Sequence, residues 1–386
     1  MKLAIITSHP VQYYAPWFRY LAQECQQELK VFYLWDFGVT TQQDKDFKTT
    51  LTWDIPLLDG YEHEFIENVS RNPGTSTFFG LNNPRLIQHL RDYNPDAVLM
   101  MLYNYAHLYP FIFRWKRCPI LFRGDSHRLI PQTGWKATAK RQFIRQVFRQ
   151  FAGVLYVGQA NYRYFQDHGV PAQKLFFTPH SVDNQRFARS VDLAHIQAQD
   201  WKRELGIPPT NRVILFAGKF IDKKRPQDLI QAFQQARLDG VSLLLVGAGI
   251  LEDRLKELAA DTPSIVFAPF QNQSLMPRTL AIADLLVLPS YGAGETWGLI
   301  VNEAMNLGKP VVVSDHVGCA EDLVANGKNG YIFPAGDVSA LAQALQKACL
   351  RSDLAAMGQT SRVKIQSYSY RQMSAGLQTA IARVAA

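Results

Sequence analysis

The stretch PSYGAGETWGLIVNEAMNLGKP, at residues 289–310, joins the end of a strand to a glycine-rich loop and a helix. An apolar run ends at Leu288, and the helix that begins near Leu299 is ended by Gly308, with Pro310 beyond it. Glycines in the loop let a backbone approach a bulky ligand closely. This order of elements predicts a ligand site beyond the end of a buried strand.

The polar groups of this stretch suit a phosphorylated sugar. The amides of Gly298 and Leu299 lie at a helix N-terminus, where the helix dipole favours an anion. Glu295 lies in the loop and Glu303 lies eight residues later in the helix, and each carboxylate accepts hydrogen bonds from hydroxyls. We expect Glu295 to contact a sugar and Glu303 to contact a ribose. Further ligand-binding residues are predicted at Ser290 and Gly294.

Short apolar runs alternate with amphipathic stretches along the whole chain, which is typical of βαβ units and parallel sheets. In the second half the predicted strands are 213–217, 241–246, 265–268, 285–288 and 311–314. In the first half they are 3–7, 30–34, 97–102, 120–123, 154–157 and 175–178. With 386 residues the chain is long enough for two such domains.

The expected architecture is α/β, with two Rossmann-like domains at residues 1–190 and 211–366 that face a central cleft. A polar linker at 191–210 is expected to join them, and a helix at 367–386 is expected to cross back to the first domain. Ligands of open α/β sheets bind beyond the carboxyl ends of the strands, so the site residues should lie in those loops.

A basic loop follows the first strand of the second domain, in FAGKFIDKKRPQDLIQAF at residues 216–233. Lys219 and Lys224 follow the strand end, and a helix begins after them. Clustered cations at such a position suit a diphosphate and would stabilise the charge that develops on a leaving phosphate. The alternative is a solvated loop.

The stretch at 289–310 resembles the family-4 retaining glycosyltransferases of GT-B fold, whose pattern reads roughly P-S-x-x-E-x-[FW]-G-L-x-x-x-E-A-M-A-x-G-x-P-V-V. The continuation VSDHVGCAEDLVANGKNGYIFPAGD is similar to the family as well. The resemblance implies sugar transfer with retention from a nucleotide sugar, commonly a UDP sugar, without a metal ion or other cofactor. It makes residues 1–190 the acceptor side and 211–366 the nucleotide-sugar domain, and it places Phe270 by the nucleotide base. Lys219 stands where the family has an arginine, and lysine lacks the bidentate fork.

The first domain departs from the family, which has two glycines after its first strand where this chain has TSHPVQYYAPWFRYL at 7–21. His9 and Gln12 are acceptor-side candidates, although His9 could equally pack or cap. The stretch RGDSHR at 123–128 lies where the family commonly has a histidine that reaches the donor sugar. This makes Asp125 and His127 catalytic candidates, and Arg123 is an acceptor-side candidate. Structural ion pairing is the alternative. The predicted catalytic residues are Glu295, Lys219, Lys224, Asp125 and His127.

The turn VGAG at 246–249 follows a strand, as a dinucleotide-binding turn does. Glu252 occupies the position of the third glycine of that fingerprint, and no acidic residue that fits follows the next strand. NAD binding is therefore not predicted.

The net charge of +8 is uneven, because residues 1–190 hold 22 Lys and Arg against 15 Asp and Glu. This excess indicates an anionic partner: lipid headgroups, a phosphorylated acceptor or an acidic saccharide. A lipid-linked or polysaccharide acceptor suits the basic first half, and a small-molecule acceptor is the alternative. No nucleic-acid recognition motif is present, so nucleic acid is not predicted as a partner. Residues 135–151, WKATAKRQFIRQVFRQF, could lie on an anionic membrane or form an ordinary helix that packs on the sheet.

No apolar run reaches the length of a membrane span, and the N-terminus reads as a strand and not as a signal peptide. We expect a cytoplasmic protein, with peripheral contact to the inner face of the membrane as an option. The Asp-x-Asp pair Asp44 and Asp46 lies in a polar stretch, so a metal site is not predicted there.

Two other functions fit the same residues. A nucleotide-sugar epimerase or hydrolase can share the two-domain fold, and it would act on the donor without an acceptor. A catalytically silent nucleotide-sugar-binding protein would bind without transfer.

Overall fold

The computed structural model describes residues 1–37, 39, 42–44, 49–51, 53–131, 133–189 and 191–385. The chain divides into two compact units. Unit 1 comprises Met1–Gln42, Leu51–His180 and Tyr370–Ala386, and unit 2 comprises Gln43–Thr50 and Ser181–Ser369. Each unit is built on a parallel sheet, as the alternating pattern predicts.

Unit 1 contains a seven-stranded parallel sheet of order β5-β2-β1-β6-β7-β8-β9. Its strands are β1 (Leu3–Thr7), β2 (Leu29–Tyr33), β5 (Glu62–Phe65), β6 (Ala97–Met100), β7 (Ile120–Arg123), β8 (Gly153–Tyr156) and β9 (Leu175–Phe177). The strands β3 (Gln42–Asp44) and β4 (Thr49–Leu51) form a separate pair. Every residue of β1 is buried, because helices cover both faces of a parallel sheet. The strand order reverses between β1 and β6.

Six helices of the described residues belong to unit 1: α1 (Ala15–Gln23), α2 (Leu86–Tyr93), α3 (Leu108–Arg114), α4 (Trp135–Phe148), α5 (Gln159–Asp167) and α15 (Tyr370–Ala385). On α4, Ile144, Val147 and Phe148 are buried, whereas Phe143 is 47% exposed. The helix therefore packs its apolar side in the core of unit 1, except for Phe143.

The helix α15 returns to the sheet of the first unit, as expected. Trp17 on α1 donates from Nε1 to Ser374 Oγ over 3.1 Å, and the Tyr370 hydroxyl donates to the Tyr13 carbonyl over 3.1 Å. A Cβ at Gly376 would lie 2.0 Å from the carbonyl oxygen of Phe177 in β9. The glycine thus lets the helix lie directly on the strand.

Unit 2 contains a six-stranded parallel sheet of order β12-β11-β10-β13-β14-β15. Its strands are β10 (Arg212–Ala217), β11 (Val241–Val246), β12 (Ile265–Ala268), β13 (Leu285–Leu288), β14 (Val311–Ser314) and β15 (Gly330–Phe333). This is the doubly wound order in which the first strand lies beside the fourth. The order reverses between β10 and β13, where Ile214 pairs with Leu285 and Leu215 with Leu286.

The helices of unit 2 are α6 (Asn184–Arg189), α7 (Val191–Glu204), α8 (Pro226–Ala236), α9 (Glu252–Ala259), α10 (Met276–Ala281), α11 (Leu299–Asn306), α12 (Ala320–Leu323), α13 (Val338–Cys349) and α14 (Leu354–Ile365). Short 3₁₀ helices lie at Ala172–Lys174, Asp222–Lys224 and Gln273–Leu275. The stretch expected as a linker is occupied by α7, whose Ala194, Ala198 and Trp201 are buried.

The VGAG turn after β11 packs closely against the loop that follows β10. Gly247 and Gly249 have φ of +155° and +156°. A Cβ at Gly247 would lie 2.0 Å from the Gly218 carbonyl oxygen, and a Cβ at Gly249 would lie 2.5 Å from that of Phe220. Phe220 N donates to Ala248 O over 2.8 Å. The two glycines therefore support the loop after β10.

Across the described parts of the chain, no helix combines the length and apolar character that a membrane crossing requires.

Candidate functional site

The candidate site of unit 2 lies where its strand order reverses. Because β10 and β13 are neighbours, the loops that follow them, 218–225 and 289–298, begin side by side at the carboxyl edge of the sheet. In open α/β sheets this position is the usual place for a ligand. The two stretches singled out by their sequence, the basic loop and the glycine-rich loop, are thus brought together.

Lys224 and Glu295 form a partly buried ion pair between these loops. Lys224 Nζ donates to Glu295 Oε2, which also accepts from the Ser290 hydroxyl over 2.9 Å. The two charged side chains are 18% and 11% exposed. Burial by itself would raise the pKa of Glu295, but the charge and hydrogen bond of Lys224, the Ser290 hydroxyl and the charge of Lys223 together lower it. Glu295 is therefore held as a carboxylate.

Lys223 makes a second connection between the loops. Its Nζ donates to the Gly294 carbonyl over 3.1 Å, while its own carbonyl accepts from Tyr291 N over 2.8 Å. These bonds fix the backbone on both sides of Gly292. The glycine-rich loop is therefore positioned by the basic loop at three points, through a side chain, a backbone group and the ion pair.

The helix α11 begins at the end of the glycine-rich loop. Gly298 precedes it with φ of +96°, and a Cβ there would lie 2.9 Å from both Leu288 and Val317 side chains. Only glycine fits this backbone and this space. The first-turn amides, from Leu299 onward, lie at the N-terminus where a helix favours an anion. Glu303, one turn further along, is 1% exposed.

The segment after β14 supports the glycine-rich loop from the other side. A Cβ at Gly318 would lie 1.9 Å from Thr296 O, and Gly318 N donates to Glu295 O over 3.1 Å. His316 accepts at Nδ1 from Gly292 N over 3.2 Å, and its ring contacts that of Tyr291 at 5.1 Å. His316 and Tyr291 were not predicted from the sequence. The available signal was that His316 follows the end of β14, the strand beside β13.

Lys219 and Phe270 lie at the same edge of the sheet. Lys219 lies two residues after the end of β10 and is half-buried. Phe270 follows β12, which is separated from β10 by β11, so about 10 Å of sheet lies between their strand ends. The predicted ligand contacts therefore extend along the carboxyl edge from β13 to β12.

In unit 1, Arg123 and Asp125 of RGDSHR meet in a polar cluster around His180, after the end of β7. Arg123 is 1% exposed, and its guanidinium donates to the Tyr14 hydroxyl over 3.2 Å and to His180 Nδ1 over 3.5 Å. Since arginine only donates, His180 carries its proton on Nε2, which faces Asp125 Oδ2 at 3.4 Å. Arg123 offers little surface to a ligand, whereas Asp125, 38% exposed, lies at the outer end of the cluster.

The charge state of His180 is set by its surroundings. Burial lowers its pKa most, the Arg123 charge lowers it further, and Asp125 opposes both. The neutral imidazole therefore orients Asp125 through a hydrogen bond. Tyr14 was not singled out from sequence. Its ring stacks on His180 at 6.1 Å and lies 5.3 Å from the Arg123 guanidinium carbon.

The other candidates of unit 1 are His9 and Gln12, in the loop after β1, and His127, in the loop after β7. His9 Nδ1 and the Ser8 hydroxyl form a hydrogen bond of 2.9 Å. The His9 ring also contacts the rings of Trp35 and Phe37. Burial lowers the pKa of His9 to about 4, so it is neutral at physiological pH. Gln12 is half-buried. His127 accepts at Nδ1 from Leu129 N over 3.3 Å, which orients its ring.

Metal ligation was not predicted for the chain. Of the Asp-x-Asp stretch, Lys45 and Asp46 lie outside the described residues. Within the described ranges, no group of three His, Cys, Asp or Glu is arranged to hold a metal ion.

Known proteins resemble this chain in sequence and in fold. The family model for glycosyl transferases group 1 matches residues 197–364. A phosphatidyl-myo-inositol mannosyltransferase of Mycobacterium leprae is 32% identical over 152 residues, which are 39% of this chain and 40% of the relative. A GDP-mannose-dependent monoacylated alpha-(1-6)-phosphatidylinositol monomannoside mannosyltransferase of Corynebacterium glutamicum is 27% identical over 249 residues, 61% of this chain and 63% of the relative. The chain thus spans less than two thirds of these curated relatives.

A solved structure extends the likeness to both units. HepE of Anabaena, in complex with UDP and glucose, has a TM-score of 0.73 and 18% identity, and 99% of each chain is covered. At this identity the likeness concerns the fold, and it confirms the expected GT-B architecture. The matched segment contains the ion pair, the glycine-rich loop and α11 of unit 2. Residues 197–364 therefore belong to the glycosyl transferases group 1 family.

Proposed function

We propose that this chain is a retaining glycosyltransferase that moves a sugar from a nucleotide sugar to a saccharide or lipid-linked acceptor in polysaccharide or glycolipid synthesis. The family of residues 197–364 and the names of the curated mannosyltransferases support the class of reaction. UDP is the nucleotide predicted from the sequence resemblance. One relative is named for GDP-mannose, so GDP is the competing nucleotide.

The observation that carries this proposal is the Lys224–Glu295 pair at the point where the strand order of unit 2 reverses. An anionic donor would compete for Lys224, and the Glu295 carboxylate would then accept from the hydroxyls of the sugar. Lys219 and the first amides of α11 would contact the diphosphate, and Glu303 would accept from the ribose. These partners match the chemistry of each group.

Transfer breaks the bond between the anomeric carbon and the β-phosphate oxygen. With retention, the acceptor hydroxyl forms the new bond on the same face, and its proton passes to the departing phosphate oxygen. Negative charge then accumulates on the nucleoside diphosphate. We assign its stabilisation to Lys219, Lys224 and the helix amides, an electrostatic role that is largest in a site sheltered from water. On this proposal the reaction needs no divalent cation.

The acceptor side is assigned to unit 1, where Asp125 and His127 follow the end of β7. Asp125 is oriented by His180, which suits it to accept a hydrogen bond from an acceptor hydroxyl. The two curated relatives are named for phosphatidylinositol acceptors, which supports an acceptor that is anchored in a membrane.

A thermal-shift screen with UDP, GDP, ADP and dTDP sugars tests the donor. A ligand at a hundred times its Kd stabilises the native state by about 2.7 kcal/mol. We expect one nucleotide to raise the melting temperature, and Glu303→Ala to abolish that rise. Stabilisation by none of the four nucleotide sugars would contradict the proposal.

Transfer itself is tested by incubating the donor with and without acceptors. Product that forms only with an acceptor, and that persists in a chelator, supports the proposal. Consumption of the donor alone would instead indicate an epimerase or hydrolase. Binding without any conversion would indicate a silent binding protein, and loss of transfer in chelator with recovery in manganese would contradict the assigned role of the lysines.

A further inference from the structure

Unit 1 carries exposed aromatic side chains away from the residues considered so far. Phe78, Phe79, Phe113 and Phe143 are 47%, 71%, 37% and 47% exposed. The rings of Phe79, Phe78, Tyr109 and Phe143 contact one another in that order, with centroids 5.0, 5.9 and 5.1 Å apart. Phe113 lies four residues after Tyr109 on α3, and therefore on the same face. We call these five residues the aromatic surface.

The aromatic surface is held in place by backbone hydrogen bonds. Ala106 N donates to the Phe78 carbonyl over 3.0 Å, and the Tyr105 hydroxyl donates to the Thr75 carbonyl over 3.1 Å. The loop that carries Phe78 is thus tied to the segment that precedes α3. The rings are presented to solvent by an ordered backbone, although their burial in the core would be favourable.

The start of α4 continues this exposed face. From residue 135 to 143 every side chain is exposed except that of Ala137, which is half-buried. Trp135 is 76% exposed, and Lys136 Nζ lies 5.7 Å from its ring centroid. Lys136, Lys140 and Phe143 have the spacing of one helical stripe, so two cations lie in line with the aromatic surface.

The chain segment that carries Tyr109, Phe113 and Phe143 is strongly basic. Residues 97–150 contain ten Lys and Arg and a single acidic residue, Asp125. Asp125 faces His180 in the buried cluster after β7. Arg114, Lys116 and Arg117, which follow Phe113, are exposed, as are Lys136 and Lys140.

We propose that the aromatic surface is a docking site for an anionic lipid bilayer. Aromatic rings flanked by lysine and arginine are the side chains that enter the boundary between headgroups and acyl chains, while the cations contact lipid phosphates. The local excess of positive charge is complementary to anionic lipids, whereas zwitterionic lipids carry no net charge that it could attract. The docking itself does not depend on the enzymatic activity.

The position of the aromatic surface in unit 1 bears on the acceptor, an inference that rests on the proposed function. The loop with Phe78 follows β5, and α3 and α4 begin after β6 and β7. All three connections leave the carboxyl edge of the sheet, the edge that also carries Asp125. A docked unit 1 would therefore hold its acceptor-side residues next to the membrane, where a lipid-linked acceptor lies.

Cosedimentation of the full chain with vesicles tests the docking. We expect binding to vesicles of mixed phosphatidylglycerol and phosphatidylcholine, weaker binding to pure phosphatidylcholine, and loss of binding as salt is raised. The double variant Phe79→Ser, Phe143→Ser should bind at least tenfold more weakly. Lys136→Gln and Lys140→Gln should each weaken binding about fivefold, which corresponds to ~1 kcal/mol for a basic side chain near an anionic surface.

The matched control is Leu350→Ser with Val363→Ser, two apolar side chains of unit 2 that are 78% and 65% exposed. It should bind vesicles as the unaltered chain does, and all variants should keep the same melting temperature. Equal binding to the two vesicle types, or unchanged binding by the aromatic variant, would overturn the proposal. The proposal would also be overturned if the unaltered chain did not bind vesicles but formed a dimer that the double variant Phe79→Ser, Phe143→Ser dissociates.

Transfer assays separate the docking from the proposed function. The aromatic variant should transfer sugar to a water-soluble acceptor at the unaltered rate, and to a vesicle-embedded acceptor more slowly. Failure of the unaltered chain to transfer to either acceptor would count against the proposed function. The vesicle binding would stand or fall separately by its own measurement.

Discussion

At the scale of single residues, the Lys224–Glu295 pair gives the sharpest prediction. Lys224→Met leaves a buried carboxylate without its cation, and removing one partner of a buried pair typically costs about 3–5 kcal/mol. We expect urea unfolding of unit 2 to shift to lower concentration. The double variant Lys224→Met, Glu295→Gln should recover most of the stability, because no uncompensated charge remains, but should not recover transfer.

The matched control for this variant is Lys256→Met, since Lys256 pairs with Glu252 over 2.8 Å at the surface. An exposed pair contributes little, so urea unfolding should barely change. Equal stability of the two single variants would show that the pair between the loops is not a buried one. A role for each residue of the Lys224–Glu295 pair was predictable from the sequence. Their contact was not, because it spans 71 positions and follows from the strand order.

At the scale of elements, the packing of α15 on β9 predicts the effect of one substitution. Gly376→Val would place a side chain against the Phe177 carbonyl, where a Cβ has only 2.0 Å. We expect it to lower the stability of unit 1 by about 1–3 kcal/mol or more, as overpacking does. Ala375→Val, at the exposed neighbouring position, should cost only the few tenths that valine loses in a helix. Urea unfolding followed by tryptophan fluorescence compares the two, and equal midpoints would contradict the described contact.

Elements were predictable from sequence where burial and periodicity agree. The strands β11, β12, β13 and β14 have the predicted bounds, because each is a short apolar run between turn residues. The strand β5 was not predicted, since its sequence EHEF is polar and it lies at the edge of the sheet. The helix α7 was missed because its composition is polar, although Ala194, Ala198 and Trp201 form a buried stripe at helical spacing.

At the scale of the whole molecule, buried histidines predict how stability depends on pH. Burial lowers the pKa of His9 and of His107 to about 4, and it lowers the pKa values of His168 and His180 as well. Between pH 6.5 and 4 the unfolded chain binds more protons than the native one, so stability falls as the pH falls. His107→Gln should remove about 3 kcal/mol of that decline. Urea unfolding at several pH values measures this change in the free energy of unfolding. At pH 7 to 8 the imidazole is neutral in both states, so the free energies of unfolding of the variant and of the unaltered chain should differ by a constant amount.

The architecture of each unit was the most predictable level. Alternation of strands and helices implies parallel sheets, and the resemblance of residues 289–310 to a known family implied the GT-B fold. The sequence alone could not place His316 beside Gly292 or His180 beside Asp125, because each pair joins loops from different strands. Such contacts depend on which strands are neighbours, and local patterns do not carry that information.

Unit 1 is interrupted in the chain by nearly all of unit 2, since its sheet is covered in part by residues 370–385. On the ribosome, β8, β9 and Trp17 must therefore wait for a helix that is made only after Ser181–Ser369. At about 5–20 residues per second this delay lasts roughly 10–40 seconds. During that interval an apolar face of unit 1 stays uncovered. By its end unit 2 has all of its strands, so the second unit synthesised is the first that can complete its fold.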